Sequence, residues 1–436
     1  MISAPSGRET DNHGRAGLLL LGAGVLAAAL LAPIAEAAAV SYQVLYSFCS
    51  QSDCPDGSLP RAGLVMDAVG NLYGTTRYSG VDEATNGFRE GVVFKLAPDG
   101  TETVLHAYGV CLAPGDCADG AGPYAGLVMW GGNLYGTTFG GGAAGQGVVF
   151  ALEGRPPPSE GYRYRIYHSF CEQSGCTDGA LPYAGLVIDG AGDLYGTTEL
   201  GGAIGLGVVF KQVGGTETVL YSFCAQSGCT DGAKPWAGLI LDAAGNLYGT
   251  TQTGGNNVEP GTVFGGGVVF KLAPDGTETV LYNFCAQSGC ADGVHPYAGL
   301  VMDAAGNLYG TTYQGGSKNN GVVFKLAPDG TETVLHNFCE QSGCTDGALP
   351  RAGLATDTTG NLYGTTSAGG AAGWGVVFKL APDGTETVLY NFCSQSSCTD
   401  GSGPWAGLIL DAAGNLYGTT QTGGNNGAGV LFIVTP

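Results

Sequence analysis

Positive charge is what this chain has least of. Its 436 residues carry 16 lysines and arginines against 37 aspartates and glutamates, a formal net charge of −21. So few cations exclude ordinary binding to nucleic acid or anionic lipid, because both need a basic surface. Cationic or neutral partners stay open. Histidine is scarce as well, at five residues. No Ser-His-Asp set, no spaced carboxylates of a Ca²⁺ loop and no zinc-type ligand spacing is legible, so neither a metal nor a cofactor is implied. After the N-terminal segment no second apolar span is legible, and from the ending Phe432-Ile433-Val434-Thr435-Pro436 no C-terminal anchor is expected.

What is abundant is glycine, at 80 residues, in a chain that is still 44% hydrophobic. A disordered chain lacks that apolar content. The combination suits an all-β protein with many tight turns. It also repeats. Leu-Tyr-Gly-Thr-Thr recurs with its tyrosine at Tyr73, Tyr135, Tyr195, Tyr248, Tyr309, Tyr363 and Tyr417, at spacings of 53 to 62 residues. A fixed period of this size marks units that bury their apolar faces only against neighbours.

In the fifth unit, Thr279-Val280-Leu281-Tyr282-Asn283-Phe284 alternates and reads as a strand. A cysteine loop follows, to Pro296. Ala298 to Met302 is a short buried strand, Asp303 to Asn307 a hairpin turn, and Leu308 to Thr312 the next strand. A loop centred on Gly315-Gly316 leads to the strand Gly321 to Leu326, and Pro328-Asp329-Gly330 makes the last turn. Four short strands joined by tight turns are antiparallel, and such units repeated radially are the blades of a β-propeller. The expected fold is therefore all-β, a seven-bladed β-propeller of four-stranded antiparallel blades. The termini sharpen it. Gln43-Val44-Leu45-Tyr46 has no Gly-Val-Val-Phe strand before it, and Gly429-Val430-Leu431-Phe432 has no outer strand after it. Pairing them closes the ring and removes two sheet edges. Within a blade the Ala-Gly-Leu strand is expected innermost, then Leu-Tyr-Gly-Thr-Thr, Gly-Val-Val-Phe, and Val-Leu-Tyr outermost. The cysteine loops and Gly-Gly loops then share one face.

Residues 1–39 read as an export signal, with Arg15 before an apolar run from Ala16 to Pro33 and a small-x-small site at Ala35-Glu36-Ala37, so cleavage is expected near Ala37. An uncleaved membrane anchor is the alternative. Residues 40–436 form the single propeller. The 14 cysteines fall into seven local pairs: Cys49 with Cys54, Cys111 with Cys117, Cys171 with Cys176, Cys224 with Cys229, Cys285 with Cys290, Cys339 with Cys344 and Cys393 with Cys398. One pair per repeat with none left over reads as disulfides in an oxidising compartment, secreted, periplasmic or at a bacterial cell surface. Each closes a loop of about six residues and contributes roughly 2 kcal/mol on the chain-entropy estimate.

Asp-Ala-Ala-Gly-Asn-Leu-Tyr-Gly-Thr-Thr, the Gly-Gly loop, Gly-Val-Val-Phe-Lys-Leu-Ala-Pro-Asp-Gly-Thr and Thr-Val-Leu-Tyr together resemble the repeat of the choice-of-anchor tandem repeat GloVer-containing bacterial proteins. The Asp-x-x-Gly-Asn-Leu-Tyr turn is more loosely similar to that of NHL-type propellers. The first resemblance implies an exported or surface protein and no activity. The chain departs from members that carry a C-terminal sorting segment.

One column varies where its surroundings do not. After a proline and just before the inner strand stand Arg61, Tyr124, Tyr183, Trp236, Tyr297, Arg351 and Trp405. In the expected ring they circle the channel mouth, where aromatics and arginine would bind a ligand. Their faces suit the apolar side of a sugar ring. The competing reading is that they only fill the wedge between blades. A second column, Asp56, Asp119, Asp178, Asp231, Asp292, Asp346 and Asp400, is each time followed by glycine and reads as a turn former before a ligand donor. His106, His168 and His336 stand where other repeats have Tyr46, Tyr221, Tyr282 and Tyr390, and read as core or surface substitutes. The expected function is a non-catalytic exported binding or surface-interaction module, a monomer recognising an extracellular glycan or a cell-surface protein, with seven equivalent weak sites gaining by avidity. Contact with a membrane is expected only if the N-terminal segment is retained. An extracellular propeller enzyme, a polysaccharide lyase or hydrolase, is the alternative. Its site would lie in the irregular loops 77–90, with Asp82, Glu83, Arg89 and Glu90, and 252–266, with Glu259. A structural or adhesive coat component is the third reading.

Overall fold

Val, Phe, Thr and Tyr dominate the segments that pair, and Gly, Asp and Pro the links between them. The sheet order follows from that alternation. The computed structural model describes residues 39–82, 87–111, 117–155, 161–258 and 265–436, without the side chains of 81–88. The expected export signal over residues 1–39 falls, apart from its last residue, outside the described residues. Among them lie seven four-stranded antiparallel sheets, the blades of a β-propeller. In the fifth, the order from inside out is Val301–Met302, Leu308–Thr312, Val322–Leu326 and Glu332–Asn337. The seventh sheet is completed by the chain's beginning: Ser41–Ser47 pairs antiparallel with Val430–Thr435, in the register Ser41 with Thr435, Val44 with Phe432 and Ser47 with Val430. The expected closure is therefore observed. Among the described residues no helix is long and apolar enough to cross a membrane.

Two circles of contacts join the blades. The first threonine of each Thr-Thr pair donates its hydroxyl to the alanine carbonyl of the next blade. Thr75 donates to Ala125 at 3.1 Å, Thr137 to Ala184 at 2.9 Å, and so on around the ring to Thr419 and Ala62 at 3.3 Å. This explains why the innermost ladder is shorter than expected. Only Val301–Met302 pairs, not Ala298 to Met302, because the Ala298 carbonyl is taken by Thr250 of the neighbouring blade, 3.2 Å away. The second circle is aromatic. Phe48, just after the closing strand, packs edge-on to Phe94 of the first blade at 5.1 Å, and Phe392 of the sixth meets Phe432 of the seventh at the same distance. Both circles pass through the seam, so the first and last repeats are bonded like any other neighbours.

Close approach dictates the glycine of Leu-Tyr-Gly-Thr-Thr. A Cβ on Gly136 would stand 2.7 Å from the Phe150 ring and 2.9 Å from Leu127. The outer ladder is bulged in every blade. In the first, Val93 opposes His106 while Phe94 opposes Val104, so Leu105 has no partner. The extra residue re-aims the side chain that follows, which turns the Tyr46/His106 column toward the cysteine loop. Turns with the Asp-x-x-Gly-Asn pattern are held by the aspartate. Asp303 Oδ1 accepts from the backbone N–H of Ala305 and Asn307 at 2.9 Å, and Oδ2 from Asn307 Nδ2 at 2.7 Å and the Tyr309 hydroxyl at 2.9 Å.

The cysteine loops are closed as expected. Seven disulfides join Cys49 to Cys54, Cys111 to Cys117, Cys171 to Cys176, Cys224 to Cys229, Cys285 to Cys290, Cys339 to Cys344 and Cys393 to Cys398. Six of them span five residues, and the Cys111 to Cys117 bridge spans six. Each bridge stays within one loop, so it stiffens that loop and ties no blade to another.

Candidate functional site

The rim column is set by backbone geometry. The residue before each rim proline is left-handed: Leu59, Gly122, Leu181, Lys234, His295, Leu349 and Gly403, with φ from 54° to 60°. Five of the seven are not glycine, and a non-glycine residue held there costs on the order of 1–2 kcal/mol. The conformation is held from both sides. Leu181 N–H donates to Gln146 O of the preceding blade at 2.8 Å, and its carbonyl accepts from Glu199 N–H at 3.1 Å. Each rim side chain is thereby fixed to two blades.

The seven rim residues converge. Arg61, Tyr124, Tyr183, Trp236, Tyr297, Arg351 and Trp405 line one cavity of about 260 Å³, and each touches the next. The Arg61 guanidinium lies 5.1 Å from the Tyr124 ring centroid and donates from Nη1 to its hydroxyl at 3.2 Å. Tyr124 meets Tyr183 at 5.2 Å, Tyr183 meets Trp236 at 4.8 Å, and Trp236 meets Tyr297 at 4.7 Å. Arg351 lies 5.8 Å from Tyr297 and 4.3 Å from Trp405, and Arg61 closes the circle 4.3 Å from Trp405. All seven are half-buried. They neither vanish into the wedges between blades nor stand apart. The contacts join the seven positions around one mouth, and the differences between repeats make it asymmetric.

A second variable column supports the first, and reading the sequence missed it. The residue after each Thr-Thr is Arg77, Phe139, Glu199, Gln252, Tyr313, Ser367 or Gln421. Phe139 packs on Tyr124 and Tyr183 at 5.5 and 4.5 Å. Gln252 Nε2 donates to the Tyr297 hydroxyl at 2.7 Å. Arg351 Nη2 donates to the Tyr313 hydroxyl at 2.9 Å with its guanidinium 4.2 Å from that ring, and Arg77 lies 4.9 Å from the Tyr124 ring. The available signal was variation immediately after an unvarying pentapeptide.

Charge is unevenly spread around the mouth. Burial pulls the Arg61 pKa down, as do the neighbouring Arg77 and Arg351 charges, with Tyr124 working the other way. A guanidinium stays charged nonetheless. Burial, then the charge of Glu199, pushes the Tyr183 hydroxyl up to about 12. Burial also raises Tyr297, against the pull of Arg351. Glu199 itself lies 3.8 Å from Lys234 Nζ.

The aspartate column is placed beneath the cysteine loops, away from the cavity lining. Asp231 is fully buried and accepts from the Tyr221 hydroxyl at 2.8 Å and from Ala225 and Gln226 N–H at 2.8 and 3.3 Å. Where histidine replaces the tyrosine, His106 takes its place, with Nε2 hydrogen-bonded to Asp119 Oδ2 at 3.1 Å, whereas His168 Nε2 comes within 3.3 Å of Asp178 without a hydrogen bond. The paired cysteines, from Cys49 and Cys54 to Cys393 and Cys398, likewise lie outside the lining of the mouth and serve the loops alone. In loop 77–90, Val81–Asp82 pairs with Gly87–Phe88. The side chain of Asp82 and all of Glu83 and Glu259 lie outside the described residues.

The fold is shared with solved structures of low identity. The extracellular domain of a protein assigned as a hybrid two-component system from B. thetaiotaomicron matches over 89% of this chain and 39% of its own, with a TM-score of 0.52 and 12% identity. A puromycin hydrolase matches over 86% of this chain and 52% of its own, with a TM-score of 0.51 and 14% identity. The chain thus spans about two fifths to one half of those proteins, and the likeness shows the fold alone. No curated protein matches the chain. Its sequence does match the Gloeobacter/Verrucomicrobia (GloVer) repeat, over residues 34–175, 83–265, 157–358 and 340–436. These stretches cover everything from residue 34 onward, and the chain belongs to that repeat family.

Proposed function

We propose that this protein is a non-catalytic, exported binding module whose channel mouth takes a saccharide. One observation carries the reading. In a molecule of near-identical repeats, a variable residue from each converges on one cavity, and the residues are aromatics and arginines. Wedge filling alone asks for no such variety, because identical blades present identical wedges. Half-buried tyrosine and tryptophan rings offer flat apolar faces to the C–H side of a sugar. Hydroxyl, indole and guanidinium groups offer hydrogen bonds to its edge. Export is supported by seven disulfides, which persist in oxidising compartments, and by the signal-like residues 1–39 with cleavage near Ala37. The extracellular setting of the B. thetaiotaomicron relative is in keeping.

The test is a glycan array followed by titration calorimetry. Wild-type protein is expected to bind at least one glycan class, and Trp236→Ala with Trp405→Ala to lose binding more than tenfold while keeping its circular dichroism. Equal binding by the double variant would move the site off the mouth.

A further inference from the structure

Resting on that reading, we infer that the ligand of the mouth is an acidic saccharide residue whose carboxylate or sulfate is held by Arg61 and Arg351 beside Trp405. The two guanidiniums come from the blades on either side of Trp405, and each lies over its ring, 4.3 Å from the centroid. Each donates one hydrogen bond to a tyrosine hydroxyl, Arg61 to Tyr124 and Arg351 to Tyr313. Among the described residues neither has a counterion, since no carboxylate lies within 4 Å of either guanidinium. Among the described residues, the carboxylates whose charges reach the rim tyrosines have cations of their own. Glu199 has Lys234, and Glu90 feels Arg77. Two like charges are therefore gathered in a half-buried site, so the mouth is locally cationic although the net charge of −21 favours cationic or neutral partners for the chain as a whole.

Cation–π contact offsets only part of that, at about 0.5–2 kcal/mol each. An anion would offset the rest. Two guanidinium forks over one indole match the planar, two-oxygen edge of a carboxylate, or two of the three oxygens of a sulfate ester. Arg61 Nε is buried and has no hydrogen-bond partner, as has Trp236 Nε1 across the mouth. Both atoms belong to side chains that line the cavity. The wall that faces the two arginines, Tyr183, Trp236 and Tyr297, is aromatic, and a pyranose ring stacked there would put its acidic substituent toward the arginines. A cavity of about 260 Å³ ringed on all sides takes one end residue of a chain rather than a chain lying across it.

The experiment is calorimetric titration of the full chain with three probes of equal length: an oligogalacturonate, a neutral galactan oligomer and a sulfated galactan oligomer. Each is run in low and high salt, with wild type, R61Q/R351Q and R61K/R351K. The expected result is at least tenfold tighter binding of one acidic probe than of the neutral one, weakened by salt. R61Q/R351Q should lose that preference, and R61K/R351K should recover part of it. Which acidic probe wins separates carboxylate from sulfate. R61Q/R351Q loses the repulsion together with cation–π contacts and two hydrogen bonds, so its circular dichroism and unfolding temperature are recorded beside those of R61K/R351K to show that it is folded. Neutral and acidic probes bound alike, both dependent on Trp236, would overturn the acidic ligand and leave the saccharide reading intact. Acidic binding unchanged in R61Q/R351Q would also overturn it. No binding of any probe would bring down both.

Discussion

Asp231 and its counterparts are repeated without change, in contrast to the column that varies around the rim. Six of the seven column aspartates are buried, and Asp119 is half-buried. Four of them, Asp56, Asp231, Asp292 and Asp400, tie an outer-strand tyrosine to the backbone of the cysteine loop, so there the loop is held by its disulfide and by the carboxylate together. Around Asp231 that disulfide is the one between Cys224 and Cys229. Three donors converge on Asp231. Asp231→Ala would leave a tyrosine hydroxyl and two backbone N–H groups without partners, at roughly 1–3 kcal/mol for each buried group left unsatisfied. Its expected destabilisation is therefore at least about 2 kcal/mol, against about 1 kcal/mol for Tyr221→Phe, which removes one donor. Urea denaturation of the two variants checks the ratio. Equal losses would mean that the tyrosine, and not the loop backbone, is what the aspartate serves. The aspartate column was visible in the sequence as Asp-Gly, and its turn-forming role could be read from the pair. Its tie to the Tyr/His column could not, because the bulge that aims Tyr221 at it leaves no mark on the alternation of Thr218-Val219-Leu220-Tyr221.

At the scale of the strand, the blades meet along a line of half-buried glutamates. Glu102, Glu217, Glu278, Glu332 and Glu386 occupy one position of the outer strand, and each has its carboxyl pushed up to about 7 by burial first and then by a column aspartate of the preceding blade. Glu332, for example, faces Asp292 and Tyr282. Tyr42 and Tyr164 fill the same position at the other two interfaces, donating to the carbonyls of Asp400 and Asp119. A folded pKa above the unfolded value of 4.5 means that these groups favour the fold fully below about 4.5. That contribution is lost as pH rises toward 7. The turn aspartates act in the opposite sense. Burial works to raise Asp303, but hydrogen bonds from Asn307, Tyr309 and Ala305 outweigh it and hold it below its usual 3.8. That stability is present above 3.8 and is lost as pH falls further. The unfolding temperature is therefore expected to peak between about pH 4 and 5 and to decline toward pH 8. Replacing the five glutamates by glutamine should flatten the decline and leave the melting temperature at pH 4 unchanged. A quintuple variant with the wild-type slope between pH 5 and 8 would contradict this origin.

For the whole molecule, closure was legible because the repeats are so alike. A strand missing at one end and supernumerary at the other has a single economical solution, and the ladder from Ser41 to Ser47 is that solution. The rim column was legible for the same reason: Tyr183, Trp236 and Arg351 stand out against an unvarying Pro-x-Ala-Gly-Leu frame. What escaped was whatever depends on distance across the ring. Contact between Arg351 and Trp405, or between Gln252 and Tyr297, joins residues 54 or 45 positions apart, and no local pattern reports it. So the sequence suggested seven places, and the ring made them one. The most direct measurement is the stoichiometry of binding by the full chain, using calorimetry with a short glycan that cannot bridge two sites. One ligand per chain, abolished by Trp236→Ala with Trp405→Ala, is the predicted result. Several ligands per chain, lost in steps as single blades are altered, would contradict a shared mouth.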